Sequence, residues 1–112
     1  MLGCTVKVTI DRPLGSAHPR FPDLVYPINY GYVEGTIAPD GEAQDAYVLG
    51  VDKPVDTFCG QVIAVICRLD DIEDKWVVAP PGISFSEEEI RAATHFQEQF
   101  FSISISLFSP QT

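Results

Sequence analysis

Positive charge is scarce in this sequence: 7 Lys and Arg stand against 16 Asp and Glu, for a net charge of -9. So acidic a surface repels phosphate backbones, which argues against broad nucleic-acid binding. Metal-binding and redox side chains are also few. There are 2 His, and the 3 Cys (Cys4, Cys59 and Cys67) form an odd number without metal-ligand spacing. Reduced thiols packed as small hydrophobes are the expectation. Long hydrophobic runs are missing, and no basic-plus-apolar leader is visible, so a soluble, cytoplasmic protein with no membrane contact is expected. No internal repeat is visible.

What is present fits one compact unit. The chain has 112 residues, 46% of them apolar, enough for one core and too few for two independent ones. A single domain over residues 1–112 follows. Cys4 to Ile10 alternates, with Cys4, Val6, Val8 and Ile10 on one side and Thr5, Lys7 and Thr9 on the other, as in a half-buried strand. Pro13, Pro19, Pro22 and Pro27, together with Gly15, exclude a helix or a long central strand between Asp11 and Pro27 and predict an ordered loop. Strands are predicted over Tyr30–Ile37, Ala46–Val51, Gly60–Arg68 and Trp76–Ala79, with a turn at Ala38-Pro39-Asp40-Gly41. Val62 to Ile66 is apolar throughout, which predicts a strand covered on both faces.

One segment has helical periodicity. Ser86 and Glu89 are spaced as a capping box, and Glu87 and Glu88 suit the positive end of the helix dipole. The stripe of Ile90, Ala93, Phe96, Phe100 and Phe101 predicts a helix over about 87–101 that packs on the sheet. Beyond it, Ser102 to Phe108 alternates at period two, so residues 102–112 are read as a tail or an added edge strand. The predicted fold class is mainly β: a small closed or nearly closed barrel with one C-terminal helix.

The acidic residues are concentrated in two places. Asp40, Glu42 and Asp45 fall in a turn that enters an apolar strand, and Asp70, Asp71, Glu73 and Asp74 follow the strongest strand. If both sets meet at one end of the barrel, like charges crowd together and call for cations. Oxygen ligands without His or Cys favour Mg²⁺, with Mn²⁺ as the alternative, over zinc. An EF-hand is excluded, since its sixth and twelfth positions counted from Asp40 hold Asp45 and Val51 rather than Gly and Glu. Tyr26, Tyr30 and Tyr32 lie within seven residues around Asn29, and Arg12 and Arg20 in the Pro-rich loop are candidate phosphate clamps.

Tyr26-Pro-Ile-Asn-Tyr-Gly-Tyr32, then Asp40-Gly-Glu-Ala-Gln-Asp45, then Asp70 to Lys75 before Trp-Val-Val-Ala-Pro80, resemble the soluble family I inorganic pyrophosphatases in order and spacing, from about Val8 to Phe101. The resemblance implies an OB-like five-stranded barrel, several Mg²⁺ ions and hydrolysis of pyrophosphate by a metal-activated water. It places metal ligands at Asp40, Asp45, Asp70 or Asp71, and Asp74 or Glu73, with Asp11 at an outer position. Glu42 falls on the carboxylate that deprotonates the attacking water, Tyr30 on a tyrosine near it, and Lys75 on a phosphate-binding lysine. Arg12, Arg20 and Tyr26 complete the candidate substrate contacts, and a homo-oligomer is expected.

The departures from the pattern are equally specific. The family's lysine-, glutamate- and arginine-bearing hairpin is replaced by the Pro-rich loop, where Arg12, Arg20 or His18 are the available substitutes. Phe101-Ser102 stands where a Tyr-Lys pair is usual, and Glu42 stands in place of Asp. Two further readings follow from these changes: a site opened to a larger phosphoanhydride, such as a nucleotide or organic diphosphate, or a non-catalytic metal- and phosphate-binding relative.

Overall fold

The computed structural model describes residues 2–71 and 73–108. Met1, Ile72 in the second acidic set and residues 109–112 of the tail lie outside the described residues. In chain order the elements are β1 (Thr5–Arg12), β2 (Asn29–Val33), β3 (Gln44–Val48), β4 (Thr57–Arg68), β5 (Asp74–Ala79), α1 (Glu87–Glu98) and β6 (Ile103–Leu107). Strands pair in the order β1-β2-β3-β5-β4, and β4 pairs back onto β1, closing a five-stranded barrel. The β3–β5 pair is parallel. The other barrel pairs are antiparallel.

The 12-residue β4 holds the architecture together. One edge pairs with β5. Along the other edge, its first half pairs with β1 and its second half with β6. The alternating Ile/Ser tail is therefore an added edge strand as far as residue 107.

Two cores result. Val8, Ile10, Val33, Ala46, Val48, Val62 and Val78 fill the barrel interior. Tyr47, Leu49, Ile63, Ala64, Ile66, Val77, Ala79 and Ile90 form a second core on the outer face, beneath α1. A bulge between Val62 and Ala64 explains how one apolar run feeds both. Side chains alternate at period two, so one inserted residue turns Ala64 and Ile66 from the interior to the outer face. Full burial of a side chain such as Ile66 or Ile90 contributes about 1.5–3 kcal/mol.

Some boundaries differ from expectation. β2 stops at Val33 rather than Ile37, because Gly35 adopts φ 78° and the Thr36 hydroxyl donates to the Val33 carbonyl. Ile37 is left 83% exposed. β4 begins at Thr57, since Thr57, Phe58 and Cys59 find partners in β1. α1 starts as expected, with both capping-box bonds formed between Ser86 and Glu89. It ends at Glu98 rather than Phe101, where the Phe101 N–H turns back onto the Glu98 carbonyl. Its fully buried row is Ile90, Thr94 and Glu98. Phe100 lies beyond the helix and is 69% exposed. No helix among the described residues is long and apolar enough to cross a membrane.

The Pro-rich loop is ordered, as predicted. Ser16 and Tyr26, then His18 and Leu24, are joined by backbone bonds around an Ala17–Val25 bridge. Asn29 anchors it from below. This fully buried amide accepts from the Leu14 and Val55 N–H groups and donates to the Lys53 carbonyl.

Candidate active site

Strand alternation dictates which polar groups meet. Tyr47 and Val77 face outward into the second core, so Asp45 and Lys75, each two residues earlier, share that face. Tyr30, opposite Tyr47 in the β2–β3 register, joins them. On β4, Arg68 follows Ala64 and Ile66 on the same side. Beyond the end of α1, Tyr30, Lys75, Arg68 and Glu73 form the floor of an open cleft of about 1150 Å³. Arg12, Arg20 and Tyr26 line it on the side of the Pro-rich loop.

Lys75 is the centre of the floor. Its ammonium donates to Asp45 Oδ2 at 2.6 Å and to the Tyr30 hydroxyl at 3.0 Å, with Glu73 Oε2 at 3.7 Å. The lysine side chain is 4% exposed and the Asp45 carboxylate 34%, so the anion opens to water while the cation is enclosed. Burial, then the charge of Asp45 and a hydrogen bond to it, raise the Tyr30 pKa far above the ordinary phenol value. Tyr30 is consequently a neutral hydrogen-bonding group, not a base. Tyr26 is also raised, by burial first, and the nearby Arg12 charge opposes the shift. Its hydroxyl donates to Gln97 Oε1 at 3.2 Å.

A second polar unit was not anticipated from the sequence. Arg68 donates from Nε and Nη2 to the two carboxylate oxygens of Glu98, at 3.0 and 2.8 Å, and from Nη1 to Glu73 at 3.1 Å. The Phe101 ring lies 3.7 Å from the guanidinium carbon. Tyr47 donates to Glu98 at 2.6 Å, and Gln97 donates to Tyr47 at 2.8 Å. Burial works against the Arg68 charge, but the bonds and charge of Glu98 outweigh it and its pKa is raised. A signal did exist: Arg68 continues the outward parity of Ala64 and Ile66, and Glu98 continues the i, i+4, i+8 row of Ile90 and Thr94.

The remaining candidates are dispersed. Asp40 and Glu42 are exposed in the turn before β3, where Asp40 Oδ1 accepts the Glu42 N–H. Asp70 and Asp71 are exposed in the turn after β4. Asp74 opens β5 opposite Cys67, whose thiol pKa is raised by burial and by the Asp74 carboxylate. The two acidic segments do share one end of the barrel, since Gln44 donates to the Asp74 carbonyl at 2.6 Å. Yet among the described residues no three His, Cys, Asp or Glu side chains gather as a metal-ligand group, so the two sets do not close into a cage. Asp11 has a raised pKa, first from burial of its carboxyl group, with Arg12 opposing and Asp45 adding to the rise. The Asp45 carboxylate, 34% exposed, fits a Mg²⁺ ion that takes one or two protein ligands and completes its shell with phosphate oxygens and water, rather than an all-protein cage.

The fold is thus a closed five-stranded barrel whose outer face ends in a cleft lined by the cationic Lys75, Arg12 and Arg20 together with Glu73 and Asp23. The family model for inorganic pyrophosphatase matches residues 3–101, so the chain belongs to the inorganic pyrophosphatase family and is a phosphoanhydride hydrolase by that membership. Similar solved structures agree on the fold. The inorganic pyrophosphatase of Ehrlichia chaffeensis is 18% identical, with a TM-score of 0.75 over 96% of this chain and 88% of that one. That of Coxiella burnetii is 18% identical, with a TM-score of 0.69 over 97% and 88%. That of Helicobacter pylori is 20% identical, with a TM-score of 0.64 over 96% and 85%. No curated protein matches the chain significantly.

Proposed function

We propose that the cleft hydrolyses inorganic pyrophosphate to two phosphates with Mg²⁺ as its divalent partner. The observation that carries this reading is the enclosed Lys75 ammonium at the cleft floor. An ammonium has three donors. Asp45 and Tyr30 fix two directions, so the third can meet a phosphate oxygen at little ordering cost. In so enclosed a place a fixed charge acts more strongly on developing negative charge than it would in water. Arg12 and Arg20 supply further positive charge from the loop, in place of the family hairpin.

Asp45 and Asp11 would hold the metal, which would lower the pKa of a water and offset phosphate charge. Tyr30, kept neutral by burial and Asp45, orients Lys75 and Asp45 relative to each other. Glu42, solvated three residues before Asp45, is the proposed acceptor of the proton lost by the attacking water. Removing one preorganised electrostatic group costs on the order of 10²–10³ in rate. With Mg²⁺ and pyrophosphate, phosphate release above a metal-only blank is expected, and Asp45→Asn should lower it by about that factor. No release, or release unchanged in Asp45→Asn, would sink the proposal.

A further inference from the structure

The cleft is larger than pyrophosphate needs. Its volume of about 1150 Å³ exceeds the range of roughly 300–1,000 Å³ for pockets that enclose a drug-sized ligand. Its chemistry also changes from floor to rim. The floor holds the charged Lys75, Arg68 and Glu73 with Tyr30, whereas Phe21 on the Pro-rich loop and Phe100 beyond α1 line the upper walls. These two rings are 62% and 69% exposed. Phe21 is supported from behind, with its ring centroid 5.2 Å from that of His18, which in turn lies parallel to Tyr26 at 6.2 Å. Arg20 and Asp23 place hydrogen-bonding groups among the rings. A purely aliphatic tail would leave those groups unpaired, whereas a ligand with a flat ring and polar edges would use both.

We propose that the cleft accepts a nucleoside diphosphate, with the diphosphate at Lys75 and Arg12 and the base stacked against Phe21 and Phe100. This rests on the hydrolase reading above and enlarges its substrate. In the reaction a water oxygen bonds to the terminal phosphorus and the bond from that phosphorus to the bridging oxygen breaks. The bridging oxygen leaves with the nucleoside monophosphate, and one proton passes to solvent. No oxidant or reductant is needed.

The test uses the full chain with Mg²⁺ and compares ADP, methyl diphosphate and pyrophosphate by calorimetry and by phosphate release. A base stacked on one aromatic ring is worth about 5- to 140-fold in affinity. ADP should therefore bind at least about 5-fold tighter than methyl diphosphate and should release phosphate. In Phe21→Ala the ratio of the two affinities should fall towards one, and Phe100→Ala should lower the same ratio if the first variant fails to fold. Equal binding of ADP and methyl diphosphate, or a ratio unchanged in the variants, overturns the inference. Pyrophosphate turnover with inert ADP overturns this inference alone. Cleavage of ADP without cleavage of pyrophosphate supports it and displaces pyrophosphate as the substrate, while failure to cleave either defeats both.

Discussion

Glu98→Leu perturbs the most enclosed charge pair among the described residues. The side chains of Arg68 and Glu98 are 5% and 2% exposed, and the guanidinium loses two of its three carboxylate bonds when Glu98 is removed. Breaking a buried pair from one side costs about 3–5 kcal/mol, because the remaining charge stays buried. Tyr47 loses its acceptor as well, adding about 1–3 kcal/mol. Glu73 still reaches Arg68 and returns part of this, so a net loss of about 4 kcal/mol is expected. Against a total stability of about 5–15 kcal/mol that is a large fraction. Adding Arg68→Met to Glu98→Leu should recover about 2–3 kcal/mol, since an apolar replacement of both ions is close to neutral and only the Tyr47 donor remains unpaired. Urea unfolding at neutral pH reads both values, with the slope unchanged. A Glu98→Leu variant within about 0.5 kcal/mol of the parent, or a double variant no more stable than the single one, would refute the assignment of this pair as a coupled unit.

Alkaline titration makes a second test. Tyr30 and Tyr47 both have folded pKa values above the unfolded value of 10.0, so their contribution to stability is intact below pH 10 and is lost as pH rises towards the folded values. Two tyrosines that ionise only in the unfolded chain lower stability by roughly 3 kcal/mol per pH unit in that interval. Ultraviolet absorbance should show their tyrosinate signal appearing together with unfolding, and ionisation of all tyrosines before loss of structure would contradict the packing. Gly31→Ala should be severe. A Cβ there would run into the Thr9 carbonyl oxygen, so β1 and β2 would have to separate. A melting temperature lowered by more than about 10 °C, or loss of cooperative unfolding, is expected in circular dichroism, and near-parental melting would show that the strands are not so closely paired.

Local chemistry made much of the fold readable. The alternation of Cys4 to Ile10, the doubly covered Val62 to Ile66 run and the Ser86/Glu89 capping box each depend on neighbours a few residues away, and each corresponds to β1, β4 or the start of α1. Features set by distant partners were not readable. The early start of β4 depends on register with β1, and the early end of α1 coincides with Glu98 closing on Arg68, thirty positions back in the chain. The site divides in the same way. The grouping of Tyr30, Asp45 and Lys75 follows from strand parity on β2, β3 and β5. Charge density alone did not separate these from Asp40, Asp70 and Asp71, which sit in exposed turns before β3 and after β4.

Phosphorus NMR of pyrophosphate incubated with the protein and Mg²⁺, run side by side for the parent chain and Lys75→Met, bears most directly on the role given to the cleft. Replacing the pyrophosphate resonance by that of phosphate in the parent, with conversion slowed on the order of 10²-fold or more in a folded Lys75→Met variant, is the predicted result. Equal conversion by both proteins would place the chemistry away from the lysine floor and contradict the account.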